Sequence, residues 1–151
     1  MPFDTLGAAS TVGPATGYAQ RLAPATITAF SAPDSTGWED KAGDRLAELM
    51  KLSPGWDGHQ APRVSRTVVD YACNLLPRLV TPGIPAPFIA PLAFGGLQLE
   101  WHRKGWDLEI EIHGPNQLYA YAREIGTGAE WERELADDLT ELGAKLNAIR
   151  D

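Results

Sequence analysis

The stretch 97-LQLEWHRKGWDLEIEIHGPNQLYAYAR-123 decides the fold, because its apolar residues recur at every second position. Leu97, Leu99 and Trp101, then Trp106, Leu108, Ile110 and Ile112, then Leu118, Ala120 and Ala122 fall on one side of a pleated meander. The other side carries Gln98, Glu100, His102, Asp107, Glu109, Glu111, His113, Tyr119, Tyr121 and Arg123. A slip of one residue would turn the apolar set to water, so core positions must oppose core positions. That rule pairs Leu97 with Ile112, Leu99 with Ile110 and Trp101 with Leu108, leaving Lys104-Gly105 as a two-residue turn. The second hairpin pairs Ile112 with Leu118, Ile110 with Ala120 and Leu108 with Ala122 around Gly114-Pro115-Asn116. Proline suits the first corner of such a loop, and asparagine tolerates the left-handed residue that closes it.

On the polar side the same register sets Glu100 opposite Glu109, Gln98 opposite Glu111, His102 opposite Asp107, Glu111 opposite Tyr119 and Glu109 opposite Tyr121. Directly opposed like charges destabilise an antiparallel pair by a few tenths of a kcal/mol. Arg123 is expected to pair with Asp107, and nothing in the meander neutralises Glu100 and Glu109. Three readings fit this face. It is the wet side of a half-covered sheet, where surface charge is screened. Or it is an interface, in which Tyr119, Tyr121 and Arg123 beside Glu100, Glu109 and Glu111 meet an Arg-rich protein. Or Glu100 and Glu109 with His102 act as acid and base in a small hydrolase, which requires a concave pocket around them. His102, Asp107 and His113 are the candidates for a metal, at spacings that match no standard zinc pattern. No metal or other cofactor is expected.

Working outward, residues 1–35 are rich in Ala, Thr, Ser, Gly and Pro and read as an extended low-complexity arm. Phe3, Leu6, Tyr18, Leu22, Ile27 and Phe30 are spaced apolar anchors along it, and Phe3, Tyr18 and Phe30 are candidate partner contacts. Residues 36–151 read as one domain. Thr36 is a candidate N-cap for a helix over 36–52, with Trp38, Ala42, Leu46, Leu49 and Met50 on one face. Pro54-Gly55 ends it, and Trp56, between two glycines, is expected to plug the joint to the next helix. That second helix, over 62–80, starts near Pro62 or Ser65 and buries Val64, Val68, Ala72, Leu75, Leu76 and Leu79, with Cys73 a small residue of the same segment. Three prolines between Thr81 and Pro87 force an extended passage, and Phe88 to Leu92 can add an edge strand. A third helix is expected over 129–149, with Trp131, Leu135, Leu139, Leu142, Leu146 and Ile149 on one side and acidic residues in its first turns. The fold expected is therefore α+β in two layers. An antiparallel meander of three to four strands is covered on one face by about three helices, with the arm extending from it.

A net charge of -7 and a pI near 4.9 argue against a phosphate-backbone ligand and favour encounter with a basic or nucleic-acid-binding protein. Cys73 is the only cysteine, so no intramolecular disulfide or Cys-rich zinc site forms. A reducing cytoplasm is the expected compartment, since no secretory leader or membrane-length apolar run is present. No Gly-x-Ser-x-Gly, phosphate loop or His-Glu-x-x-His occurs, and Gly95-Gly96 and Gly126-Thr127-Gly128 read as turns.

The connector Gly55-Trp56-Asp57-Gly58 with Ala61-Pro62, the stretch from Pro85 to Pro91, and the Gly95 to Trp101 and Asp107 to Ile112 strands resemble a family of small, uncharacterised bacterial proteins. The resemblance runs from about Leu46 to the C-terminus and excludes the arm. Members of that family occur with mobile elements and beside toxin–antitoxin or defence genes. The resemblance thus implies an antitoxin, immunity or anti-defence inhibitor, and it supplies no catalytic residues. The function expected is a non-catalytic protein-binding module acting through the arm and the acidic sheet face. The alternatives are the carboxylate hydrolase and a self-assembling structural protein that exchanges its arm to form a homo-oligomer.

Overall fold

The computed structural model describes residues 37–151, which fold as two helices, a five-stranded antiparallel sheet and a short closing helix. The expected arm anchors Phe3, Tyr18 and Phe30, and Thr36 as an N-cap, lie outside the described residues. Helix α1 spans Trp38–Leu49 behind Gly37, whose φ of 86° places it in the left-handed region that glycine enters without steric strain. Ala42, Leu46 and Leu49 are its buried stripe. Helix α2 spans Arg66–Leu79 and is capped by Ser65, whose side chain accepts from the Val68 amide. Its Val68, Ala72, Leu75, Leu76 and Leu79 are all buried, and Cys73 with them.

The connector between these helices is a turn held by its own side chains. Asp57 Oδ1 accepts from the amides of His59 and Ala61 at 2.9 and 3.2 Å, while the half-buried Trp56 donates its indole N–H to the Pro62 carbonyl at 3.0 Å. Gly55 and Gly58 take the positive φ values that let the chain reverse there.

The sheet follows in chain order: β1 Phe88–Pro91, β2 Leu97–Arg103, β3 Trp106–Gly114, β4 Gln117–Glu124 and β5 Glu130–Leu135. The expected register holds throughout the first two hairpins. Leu97, Leu99 and Trp101 oppose Ile112, Ile110 and Leu108, which in turn oppose Leu118, Ala120 and Ala122. Lys104-Gly105 forms the first turn with φ of 54° and 77°, and Asn116 at 56° closes the second. A register shift between Ile112 and Gly114 tightens this second loop, so that Gly114 pairs with Gln117.

The sheet has five strands where three to four are expected, and the difference lies in residues 129–149. The single helix expected there is absent. Glu130–Leu135 instead pairs antiparallel with β4, and only Thr140–Leu146 is helical (α3), continued by a 3-10 turn over Asn147–Ile149. The cause is a coincidence of periods. Trp131 and Leu135 are four residues apart, which is nearly one helical turn and also an even number of strand steps. Both therefore point to the core in either conformation, and both are half-buried against it.

The helices and the inner face of the sheet share one apolar core. It runs from Leu46 and Leu49 through Leu75, Leu76, Leu99, Leu108, Ile110 and Ile112 to Leu142, Leu146 and Ile149. The C-terminus is tied back over one end of it. Arg150 donates to the Pro82 carbonyl and the Thr81 hydroxyl, and Asp151 takes Arg103 at 2.5 Å. No helix among the described residues is long and apolar enough to cross a membrane.

Candidate functional site

With the helices gathered on the inner face, no other described element covers the outward register of β2 to β5. It carries Gln98, Glu100 and His102, then Asp107, Glu109 and Glu111, then Tyr119, Tyr121 and Arg123, and finally Glu130, Glu132 and Glu134. The structure thus brings Glu100, Glu109, Glu111, Tyr119, Tyr121 and Arg123 onto one surface. It adds three glutamates that the sequence reading assigned to the first turns of a helix. The signal for them was present in 130-EWEREL-135, where glutamate alternates with Trp131, Arg133 and Leu135 at period 2.

The expected cross-strand pairs form. Glu100 stands opposite Glu109, Gln98 opposite Glu111, His102 opposite Asp107, Glu109 opposite Tyr121 and Glu111 opposite Tyr119. Side chains along the face partly answer the crowding of carboxylates. Gln98 donates to Glu100 at 2.7 Å, and the His102 ring lies between two carboxylates, with Nδ1 at 2.8 Å from Asp107 and Nε2 at 3.5 Å from Glu100. His113 sits 2.7 Å from Glu111, and Tyr119 donates its hydroxyl to Glu132. Arg123 is the exception to expectation. It stands across from Asp107 in the register, yet its guanidinium lies 4.0 Å from Glu130, because β5 brings a second carboxylate to its other side while His102 occupies Asp107.

These contacts shift the titrating groups in a consistent sense. The hydrogen bond to Asp107 raises His102, and Glu100 adds to it. Glu109 is raised by its partial burial first and by the Glu100 charge second. The hydrogen bond to Glu132 pushes Tyr119 up to about 12, and desolvation followed by the Glu130 charge raises Tyr121. The face therefore holds excess negative charge that its own groups resist by retaining protons.

His102 and Asp107 come together, but His113 bonds Glu111 instead, and no group of three or more metal-ligating side chains is assembled among the described residues. Glu100 and Glu109 are neighbours on the open sheet. A cleft of about 430 Å³ lies instead between α2 and α3, lined by residues such as Leu79, Ile84 and Leu146. A second, of about 450 Å³, lies beyond the β3–β4 loop and the end of β5, beside Asn116, Tyr119 and Glu134. Cys73 is fully buried, and burial pushes its thiol well up, away from the thiolate form. Gly95-Gly96 is a turn with a packing role. The Gly95 carbonyl accepts from the Ser65 amide at 2.8 Å and so holds the start of α2 against the sheet.

Compared with known proteins, the chain matches no family model, no curated protein and no solved structure.

Proposed function

We propose that this protein is a non-catalytic binding module that occupies a basic protein partner with its open sheet face, as an antitoxin, immunity or anti-defence inhibitor would. The observation that carries the reading is the composition of that face. Carboxylates from four adjacent strands share it with Tyr119 and Tyr121, and Arg123 is the sole Lys or Arg in its outward register. Opposing glutamates weaken a sheet, so a face that keeps them is better explained by a ligand that neutralises them than by solvation alone. Half-buried tyrosines among charges supply the rigid aromatic contacts on which protein interfaces depend. A partner that ordinarily binds nucleic acid would meet here a similar density of negative charge. The cytoplasm is the compartment proposed, with the arm, through Phe3, Tyr18 and Phe30, as a second point of attachment.

The test is affinity capture from the native cytoplasm with wild type, the Glu109→Lys/Glu111→Lys double variant and a chain lacking residues 1–35, read by mass spectrometry. A stoichiometric basic partner that the folded double variant fails to retain is the expected result. Unchanged capture by that variant removes the sheet face from the function. Loss of self-association on arm deletion, with no partner for any form, would instead favour arm exchange between copies. The hydrolase reading draws on the raised Glu109 carboxyl, but it needs a walled pocket, and the clefts described above are not lined by Glu100 or Glu109.

A further inference from the structure

The two edges of the sheet are finished differently. At β1 the flanking Pro85 and Pro87, and Pro91 within the strand, remove amide donors, while Arg45 from α1 donates its Nε to the Ile89 carbonyl at 2.9 Å. That edge is closed. At β5, the strand Glu130–Leu135 pairs with β4 alone, and among the described residues no further backbone hydrogen bond reaches it. An edge strand directs every second N–H and C=O away from its neighbour, so among the described residues the outward backbone groups of β5 are unpaired except at the Glu132 carbonyl. Arg133, whose Nη1 rests 2.9 Å from the Glu132 carbonyl, is the one side chain seen on this backbone.

We propose that β5 is a docking strand, which accepts as a sixth strand an extended segment of a protein partner with Lys or Arg alternating with apolar residues. The inference rests on the acidic-face reading and specifies how the partner is held. Charge chooses the occupant. Paired residues of adjacent strands share a face, so residues opposite Glu130, Glu132 and Glu134 join the acidic surface and must be basic to be stabilised there. Residues opposite Trp131 and Leu135 join the inner side, where both side chains are half-buried, and should be apolar.

A second copy of this chain is the wrong occupant. Antiparallel pairing of β5 with itself about Arg133 sets Glu132 against the other copy's Glu134, and pairing about Glu132 sets Glu132 against itself. Either register stacks like charges, and Arg133 points a charge toward the inner side, where its Nε lies 3.3 Å from Glu141. These are devices that keep an exposed edge from pairing with its own kind, and they leave it open to a basic strand.

The probe is a capped Val-Lys-Thr-Lys-Val-Lys peptide, titrated at low salt into the full chain with amide chemical shifts and hydrogen exchange as readouts. Two analogues are N-methylated, one at odd and one at even residues, and a block peptide Lys-Lys-Lys-Val-Thr-Val keeps the charge. Strand addition predicts slowed exchange of alternate β5 amides. It also predicts at least tenfold weaker binding of one methylated analogue with the other little changed, and loss of binding in Glu132→Lys/Glu134→Lys. Equal binding of the alternating and block peptides, without protection of β5, overturns it. If Glu109→Lys/Glu111→Lys abolishes that binding, the acidic face stands and only the docking strand falls. Absence of binding by every peptide overturns the docking strand as well, leaving the acidic-face reading to be judged on partner capture. Protection of the same amides by rising protein concentration alone overturns the choice of occupant.

Discussion

Glu109 and His102 are both held above their ordinary pKa, the first by partial burial and the Glu100 charge, the second by its bond to Asp107. A group whose folded pKa is raised binds protons more readily in the folded state. Its stabilisation is complete below the unfolded value and is lost as pH rises through the folded one. For Glu109 the loss begins above 4.5 and for His102 above 6.5, so the change between mildly acidic and mildly basic pH belongs to His102. The melting temperature should therefore be higher at about pH 6 than at about pH 8, and Asp107→Asn should narrow the difference. The effect is small, because the His102 side chain is 57% exposed and solvent screens it. Replacing Glu109 by Gln removes one of two opposed charges and should stabilise the fold by about 0.5 kcal/mol in chemical denaturation. The same change should weaken partner capture. A loss of stability would mean that the pair is already compensated. Tyr119 gives an independent reading of the far side of the face. It should be the last of the face tyrosines to ionise in an ultraviolet titration, near 12, and Glu132→Gln should return it toward 10.

At the scale of elements, the packing of β2 against its neighbours leaves no room at Gly96. A Cβ there would lie 2.5 Å from the Ile112 carbonyl oxygen and 3.3 Å from the Phe94 ring, and backbone cannot move aside as a flexible side chain does. Gly96→Ala should destabilise the domain by about 2–3 kcal/mol, measured by denaturant unfolding. Retained stability would show that the β1–β2 turn is free to shift. What could be read from sequence follows the same physics of period and constraint. Strands β2 to β4 were legible to the residue, because strict alternation over three strands with two turn signals admits one register. Helix α2 was legible from its apolar stripe, but its start was open between Pro62 and Ser65, and it is the Ser65 cap that sets it. Strand β5 was not, since Trp131 and Leu135 satisfy the strand and helix periods alike, and the Glu-rich run also suits a helix N-terminus. That one misassignment hid Glu130, Glu132 and Glu134 from the candidate site and led to Arg123 being matched with Asp107 alone. The half-buried Trp131, flanked by Lys145 at 5.6 Å from its ring, is the anchor that holds β5 to the core.

At the scale of the molecule, the asymmetry of the fold becomes an asymmetry of charge. Among the described residues, every helix and the apolar core lie on one side of the sheet, and the opposite side concentrates carboxylates from β2 to β5 in a protein whose net charge is -7. Charges gathered on one face make a field that reaches a partner before contact, and such a field acts on the rate of association more than on dissociation. Salt shortens its reach, from about 30 Å at 0.01 M to about 8 Å at 0.15 M. Binding of a basic partner should therefore slow at least tenfold in association between about 0.01 M and about 0.5 M salt, with dissociation changing much less. The Glu109→Lys/Glu111→Lys variant should show a shallower salt dependence, as fewer carboxylates remain to be screened. Rapid-mixing or surface-based kinetics on the captured partner separates the two rates. Association that ignores salt would mean that Tyr119, Tyr121 and the inner-side contacts at β5 dominate recognition, with the glutamates serving only to keep the open edge from pairing with itself.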